Sequence, residues 1–119
     1  MAQTAEAEVL GTVEGGVGTI ILNRPAALNA LTADMCRCVD RHLEAWSAPG
    51  AAIGIVLVKS ASAKAFSAGG DVKGCCLDAR AGGEGPDVQF RAEYSLMHRI
   101  RKSPIPQVAL VDGIAMGCG

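Results

Sequence analysis

Ile53-Gly54-Ile55-Val56-Leu57-Val58, near the middle of the chain, decides how its neighbours are read. The run is continuously apolar, of strand length and rich in β-branched residues. That is the pattern of a strand buried on both faces, in a sheet covered by helices. Towards the N-terminus, Leu31, Met35, Val39, Leu43 and Trp46 recur at steps of three and four residues. Such spacing predicts an amphipathic helix with Thr32 as N-cap, ended by Ser47-Ala48-Pro49-Gly50. Earlier still, residues 9–13 and 17–22 are β-rich runs around Glu14-Gly15-Gly16, which predicts a hairpin. Asn23-Arg24-Pro25 stops the second strand, because proline has no N–H to give a ladder.

Towards the C-terminus, residues 60–64 are a polar loop, and residues 66–71 lead into a short turn or helix. Residues 79–86 hold three glycines and a proline and are the expected mobile loop. Residues 87–102 read as a second helix, closed by Ser103-Pro104-Ile105-Pro106, and residues 107–111 as another short buried strand. Strand, helix, strand, helix, strand is an α/β arrangement. A length of 119 residues suits a single domain, residues 1–119, with 1–7 expected to be flexible.

Composition removes several classes of function. With 50% hydrophobic and 19% charged residues, a disordered chain is excluded. A net charge of −1 with scattered basic residues leaves no nucleic-acid footprint. No apolar run reaches the roughly 18 to 20 residues of a membrane helix, and the N-terminus carries neither a secretory signal nor an arginine-rich presequence. Cys36, Cys38, Cys75, Cys76 and Cys118 are an odd number in CxC and CC spacings. They match no zinc pattern and no disulfide framework, so free thiols and no metal are expected. Cys36 and Cys38 read as small helix residues, one of them near the apolar face.

Two glycine-rich segments can carry chemistry. In Ala68-Gly69-Gly70-Asp71 the glycines let a backbone approach a ligand and aim N–H groups at an oxyanion, aided by a helix starting near Asp71. A tight turn capped by Asp71 explains the same residues, and spacing alone favours it. Gly113-Ile114-Ala115-Met116-Gly117-Cys118-Gly119 again offers either exposed amides or close packing of strand and helix. A P-loop fails for want of Gly-Lys-Ser/Thr, and a dinucleotide fingerprint for want of Gly-x-Gly-x-x-Gly after a strand. Around α-helical geometry, Phe90, Tyr94 and Met97 share one face with Glu93 at its margin. Glu93 has no basic residue three or four positions away, so ligand contact and a boundary role stand even. Asp34, Asp40, Arg41 and Glu44 read as a solvated face. The Cys118 thiol has no legible link to His42 or His98, which places it below a structural role as a nucleophile.

Residues 23–31 (Asn23-Arg24-Pro25-Ala26-Ala27-Leu28-Asn29-Ala30-Leu31), 64–71 and 106–119 resemble, in order, three successive motifs of the crotonase (enoyl-CoA hydratase/isomerase) superfamily. The stretch Phe90-Arg91-Ala92-Glu93-Tyr94 ahead of Ile114-Ala115-Met116-Gly117 most resembles its 3-hydroxyisobutyryl-CoA hydrolase branch, thioesterases of valine breakdown. The resemblance implies a partial spiral of strand-strand-helix units, of which this chain is the N-terminal part. It implies an acyl-CoA substrate, with CoA as part of that substrate and no metal or redox cofactor. It implies backbone amides of Gly70 and Cys118 as the oxyanion hole, the second position being usually glycine. Glu93 then corresponds to a substrate-contacting glutamate, and Asn29, Ala30 and Leu31 to the segment lining the CoA groove. Ala68, Gly69, Asp71 and Gly117 complete the substrate-binding set, and Arg24 either steers CoA phosphates or stabilises its turn. The branch's catalytic carboxylates lie beyond the second glycine motif, so the 119-residue chain itself is expected to be inactive or nearly so. Uncovered sheet edges and helix faces imply a sticky, partly molten chain prone to self-association, and the family implies mitochondria or peroxisomes. An enoyl-CoA hydratase or isomerase, and a non-catalytic CoA- or partner-binding protein, are the alternatives.

Overall fold

The computed structural model describes residues 8–119, so the flexibility expected of residues 1–7 lies outside the described residues. Gly15 and Gly16 both take positive φ, 56° and 78°. Two such residues make the turn whose twist matches the flanking strands, and β1 (Val9–Glu14) and β2 (Val17–Leu22) pair antiparallel from Glu14↔Val17 to Val9↔Leu22. Pro25 opens a 3₁₀ turn, Pro25–Ala27, that ends the hairpin. Then α1 (Ala33–Trp46) begins where expected, with the Thr32 hydroxyl accepting the Met35 N–H at 3.1 Å. Its buried face is Met35, Cys36, Cys38, Val39, Leu43 and Trp46. Both cysteines are therefore inside, not one, because the buried stripe of this helix is wide enough to take in residues only two positions apart.

Strand β3 (Ile55–Ser60) runs parallel to β2, and β5 (Gln107–Ala109) runs parallel to β3, giving the order β1-β2-β3-β5. Ile20, Leu22 and Val56 join the α1 residues in one core cluster. The expectation of a strand buried on both faces is corrected: Val56 is buried, but Ile55, Leu57 and Val58 are half-buried and Lys59 is exposed. Strand side chains alternate, and only one face of this sheet meets the α1 core. The 107–111 strand is also corrected, being shorter and at the sheet edge, with Val108, Leu110 and Val111 exposed among the described residues.

Strand β4 (Ala65–Ser67) leaves that sheet and pairs in parallel with β6 (Ile114–Ala115), a strand the sequence reading did not isolate. Gly113 makes the pairing possible: φ is +79°, and a Cβ there would lie 2.3 Å from the Lys64 carbonyl oxygen. After β4, Asp71 caps α2 (Val72–Arg80), its Oδ1 accepting the Gly74 N–H at 3.2 Å. The loop expected over 79–86 contracts to residues 81–84. Ala79 and Arg80 finish α2, while Gly85 and Pro86 open α3 (Gly85–Lys102), where proline lacks only an N–H that would be unbonded anyway. Asp78 ties the connection, its side chain accepting the Gly85 N–H at 2.6 Å and its carbonyl the Gly83 N–H at 2.9 Å.

The face shared by Phe90, Tyr94 and Met97 is not the one that α3 turns inwards. Gln89, Ala92, Glu93 and Leu96 are buried, whereas Phe90, Tyr94 and Met97 are 52%, 64% and 40% exposed. A periodicity argument finds which residues share a face; which face meets the core is set by α1. Asp40 is likewise not merely solvated: it accepts a hydrogen bond from Arg99 of α3, and Glu44 lies 3.7 Å from the same guanidinium. Asp34 pairs with Arg37 at the surface, as its exposure suggested.

Candidate active site

Asn29 organises the loops around the site. Its side chain is wholly buried. Oδ1 accepts the Arg24 N–H at 2.7 Å, while Nδ2 donates to Ser60 Oγ at 2.7 Å and to the carbonyls of Phe66 and Ala65 at 3.0 and 3.4 Å. Leu28 and Asn29 carry positive φ, 53° and 55°, which asparagine tolerates better than most residues. Ser67 continues the network, donating to the Asn29 carbonyl at 2.8 Å and accepting the Gly69 N–H at 3.1 Å. Asn29 thus welds residues 23–31 to β4, and its side chain faces inwards.

The glycine pair then has two separate reasons. Gly69 has φ +92°, and a Cβ on it would lie 2.8 Å from the Met116 carbonyl oxygen and 3.3 Å from the Gly117 Cα. At Gly70 a Cβ would lie 2.3 Å from Glu93 Oε1. The amides of Ala68, Gly69 and Asp71 are taken up by the Leu28 carbonyl, Ser67 Oγ and the Leu31 carbonyl. The Gly70 N–H, alone of the four, donates to no backbone or side-chain oxygen among the described residues. Backbone geometry therefore brings together residues 69–70 and 116–118, separated in sequence but joined by the β4–β6 pair.

Glu93 projects into this junction from α3 and is 8% exposed. Gln89, 5% exposed, donates from Nε2 to Glu93 Oε1 at 2.6 Å and to the Leu31 carbonyl at 2.7 Å. Sequence reasoning did not single out Gln89 or Ser67; beside their local partners Glu93 and Gly69, each matters through a distant one, Leu31 at 58 positions and Asn29 at 38. Ala30 and Leu31 sit beside the first glycine loop: Leu31 N–H donates to the Gly69 carbonyl at 2.7 Å, and Ala30 presents its carbonyl to Arg24 Nη1 at 2.9 Å. Arg24 also lies 3.6 Å from both Asp71 and Glu8, so the turn-stabilising role is the one its contacts describe. Arg24, Ala27, Leu28, Ala30, Asp71 and Lys73 line an open groove.

All five cysteines are free thiols. Burial, followed by the Glu93 carboxylate, pushes the Cys36 thiol up to about 12 from an ordinary 9.0. Burial and then Glu93 also raise Cys118, against a smaller lowering by the Gly70 N–H. In the window between about pH 9 and pH 12 the unfolded chain sheds a Cys36 proton that the folded chain keeps. Stability is then lost as pH rises through that window, by at most about 1.4 kcal/mol per pH unit for one thiol. We expect the urea midpoint to fall from pH 8.5 to 10.5, and to fall less steeply in Cys36→Ala; equal slopes would refute the assignment.

Among the described residues no group of three or more His, Cys, Asp and Glu side chains is placed to hold a metal ion, and no helix is long and apolar enough to cross a membrane. Residues 17–119 match the family model described as enoyl-CoA hydratase/isomerase. The chain is 43% identical over 119 residues to the mitochondrial 3-hydroxyisobutyryl-CoA hydrolase of Danio rerio, covering 100% of this chain and 31% of that protein. For the same enzyme of Rattus norvegicus the identity is 41% over 116 residues, 98% and 30% of the two chains. A crystal structure of a carnitinyl-CoA dehydratase from Mycobacterium thermoresistibile superposes with a TM-score of 0.86 at 39% identity, over 93% of this chain and 32% of that one. The chain therefore spans about 30% of the length of the curated relatives it matches.

Proposed function

Since this chain belongs to the enoyl-CoA hydratase/isomerase family, we propose that it binds acyl-CoA thioesters and serves hydrolysis of a short, branched 3-hydroxyacyl-CoA to the free acid and CoA. The substrate class follows the relatives named 3-hydroxyisobutyryl-CoA hydrolase, and with it the place in valine breakdown and in mitochondria. The observation that supports the reading is the Gly70 amide: its three neighbours in the loop are bonded within the backbone and Ser67, and it alone donates to no oxygen among the described residues, beside the close approach of residues 69 and 116–117.

Attack on a thioester carbonyl puts negative charge on its oxygen. Donors already fixed in place bind that charge without reorganising, and one such donor is typically worth about 2.7 to 4 kcal/mol of barrier. In this reading Gly70 and Cys118 supply those donors from their backbone N–H groups, and Gly69 and Gly117 allow the two segments to approach. Glu93 contacts the acyl group, Ala30 and Asp71 line the wall of the CoA groove, and Ala68, Asn29 and Leu31 hold that wall to the glycine loop through hydrogen bonds. Lys73 lends positive charge near the CoA phosphates. CoA enters as part of the substrate, and the reading invokes no separate cofactor.

The carnitinyl-CoA dehydratase likeness favours a second reading, addition or removal of water across an enoyl double bond. One pair of assays separates them. Hydrolysis of 3-hydroxyisobutyryl-CoA releases a free thiol, read with a thiol-reactive dye, whereas hydration of crotonyl-CoA bleaches the enoyl absorbance and releases none. We expect slow thiol release, in keeping with the weak activity the sequence predicts. Bleaching alone would transfer the protein to the second reading, and failure to bind either acyl-CoA would end both.

A further inference from the structure

Gln89 and Glu93 occupy successive turns of α3 and are both buried. An inward carboxylate left to itself turns towards water, because burial without partners costs it strongly. Gln89 prevents that. Its amide nitrogen carries two N–H donors, and Nε2 gives them to Glu93 Oε1 at 2.6 Å and to the Leu31 carbonyl at 2.7 Å. With the amide reversed, an oxygen would face two oxygens, so its orientation is fixed. Leu31 belongs to the frame of the glycine loop: it bridges to Gly70, its N–H donates to the Gly69 carbonyl at 2.7 Å, and its carbonyl also accepts the Asp71 N–H at 2.9 Å. Glu93 is thereby placed relative to Gly70, so close that no side chain fits there beside Oε1. A bond to Leu31 alone would pin α3 to the loop. The second bond, to a carboxylate, is one that such a tether does not need.

A carboxylate accepts hydrogen bonds and donates none. The acyl part of a 3-hydroxyacyl thioester carries one donor, its hydroxyl, set a short carbon chain away from the carbonyl. Reading both groups at once needs the Glu93 carboxylate and the Gly70 N–H at a fixed separation. Binding groups keep such a separation only where neighbouring hydrogen bonds lock their rotamers. We propose that Gln89 is a positioning residue: by tying Glu93 to the glycine loop, it makes the site prefer acyl-CoA thioesters that bear a 3-hydroxyl over those that lack one. The proposal rests on the acyl-CoA reading above, with Gly70 as donor to the carbonyl and Glu93 at the acyl group. Gln89 itself touches no substrate and acts through Glu93 alone.

The 3-hydroxyisobutyryl and isobutyryl analogues of CoA in which a methylene replaces the thioester sulfur keep the carbonyl and cannot be hydrolysed. Titrated calorimetrically, wild type should prefer the hydroxylated one. Gln89→Met, close in shape and without a donor, should reduce that preference about 3- to 10-fold, with little change for the isobutyryl analogue. In Glu93→Met the preference should vanish, and adding Gln89→Met should change nothing further, because a residue acting through another has no effect once that one is gone. Gln89→Asn, an amide too short to reach both acceptors, should show the same loss and serves if Gln89→Met does not fold. Wild type without a preference, an unaltered preference in the Gln89 variants, or equal weakening of both analogues would overturn the proposal. A second readout needs no ligand: the side-chain amide protons of Gln89, followed by NMR, should be protected from solvent exchange and should shift in Glu93→Met. Resonances like those of an exposed glutamine would overturn the tether whatever the titrations show. A protected amide with neither analogue bound by any variant would uphold the tether but end the acyl-CoA reading, and the selectivity with it.

Discussion

Asn29→Asp is expected to leave the protein largely unfolded near neutral pH. The substitution preserves volume and the acceptor that receives the Arg24 N–H. It removes the amide donor and turns a charged oxygen towards Ser60 Oγ and the carbonyls of Phe66 and Ala65. The side chain has no access to water. Each buried polar group left without a partner costs about 1 to 3 kcal/mol, and two or three are stranded here. The sum is comparable with the roughly 5 to 15 kcal/mol that holds an ordinary domain together. Aspartate tolerates the left-handed backbone at this position nearly as asparagine does, so the loss reports the hydrogen bonds rather than φ. Protonation restores one donor, and partial recovery near pH 4 should follow. Urea unfolding with circular dichroism is the measurement, and a midpoint within a few tenths molar of wild type would refute the role given to Asn29.

Gly69→Ala is the second large effect, and it separates function from backbone strain. With φ at +92°, a Cβ would press against the Met116 carbonyl and the Gly117 Cα, which are backbone atoms and cannot swing aside. The two glycine segments must part. Strain of this type costs on the order of 1 to 3 kcal/mol, and displacing reacting groups by roughly 1 Å can lower turnover about 100-fold. Gly82→Ala is the control, since its φ is +82° but nothing lies within 4 Å of the added carbon. Thioester turnover should drop in Gly69→Ala far more than in Gly82→Ala, which shares the positive φ but not the clash. Equal turnover in the two variants would remove the close approach from the mechanism.

Glu93 shows how far a single chain of letters goes. Its unpaired carboxylate on a helix was visible from spacing, and the likeness to a known branch gave it a ligand-facing role. That it is buried was not visible, because the helix has apolar residues on two sides. Phe90, Tyr94 and Met97 made the more obvious stripe, yet they are exposed, and the smaller Ala92 with Leu96 packs inwards. Periodicity orders residues around an axis but carries no information about the neighbour that the axis meets. The same gap explains Arg99, whose partners Asp40 and Glu44 lie more than fifty residues upstream.

Local chemistry wrote what could be read locally: the Gly15-Gly16 hairpin, the Thr32 cap with its amphipathic helix, and the order of strands and helices. Each of these depends on residues within a few positions, where propensity and spacing act directly. Only the folded chain decided which helix face points inwards, that Asn29 is a structural hub, and that Gln89, Glu93 and Gly70 share one junction. Those outcomes depend on contacts between residues far apart in the chain, made once β4 and β6 pair, and no local preference encodes such a meeting.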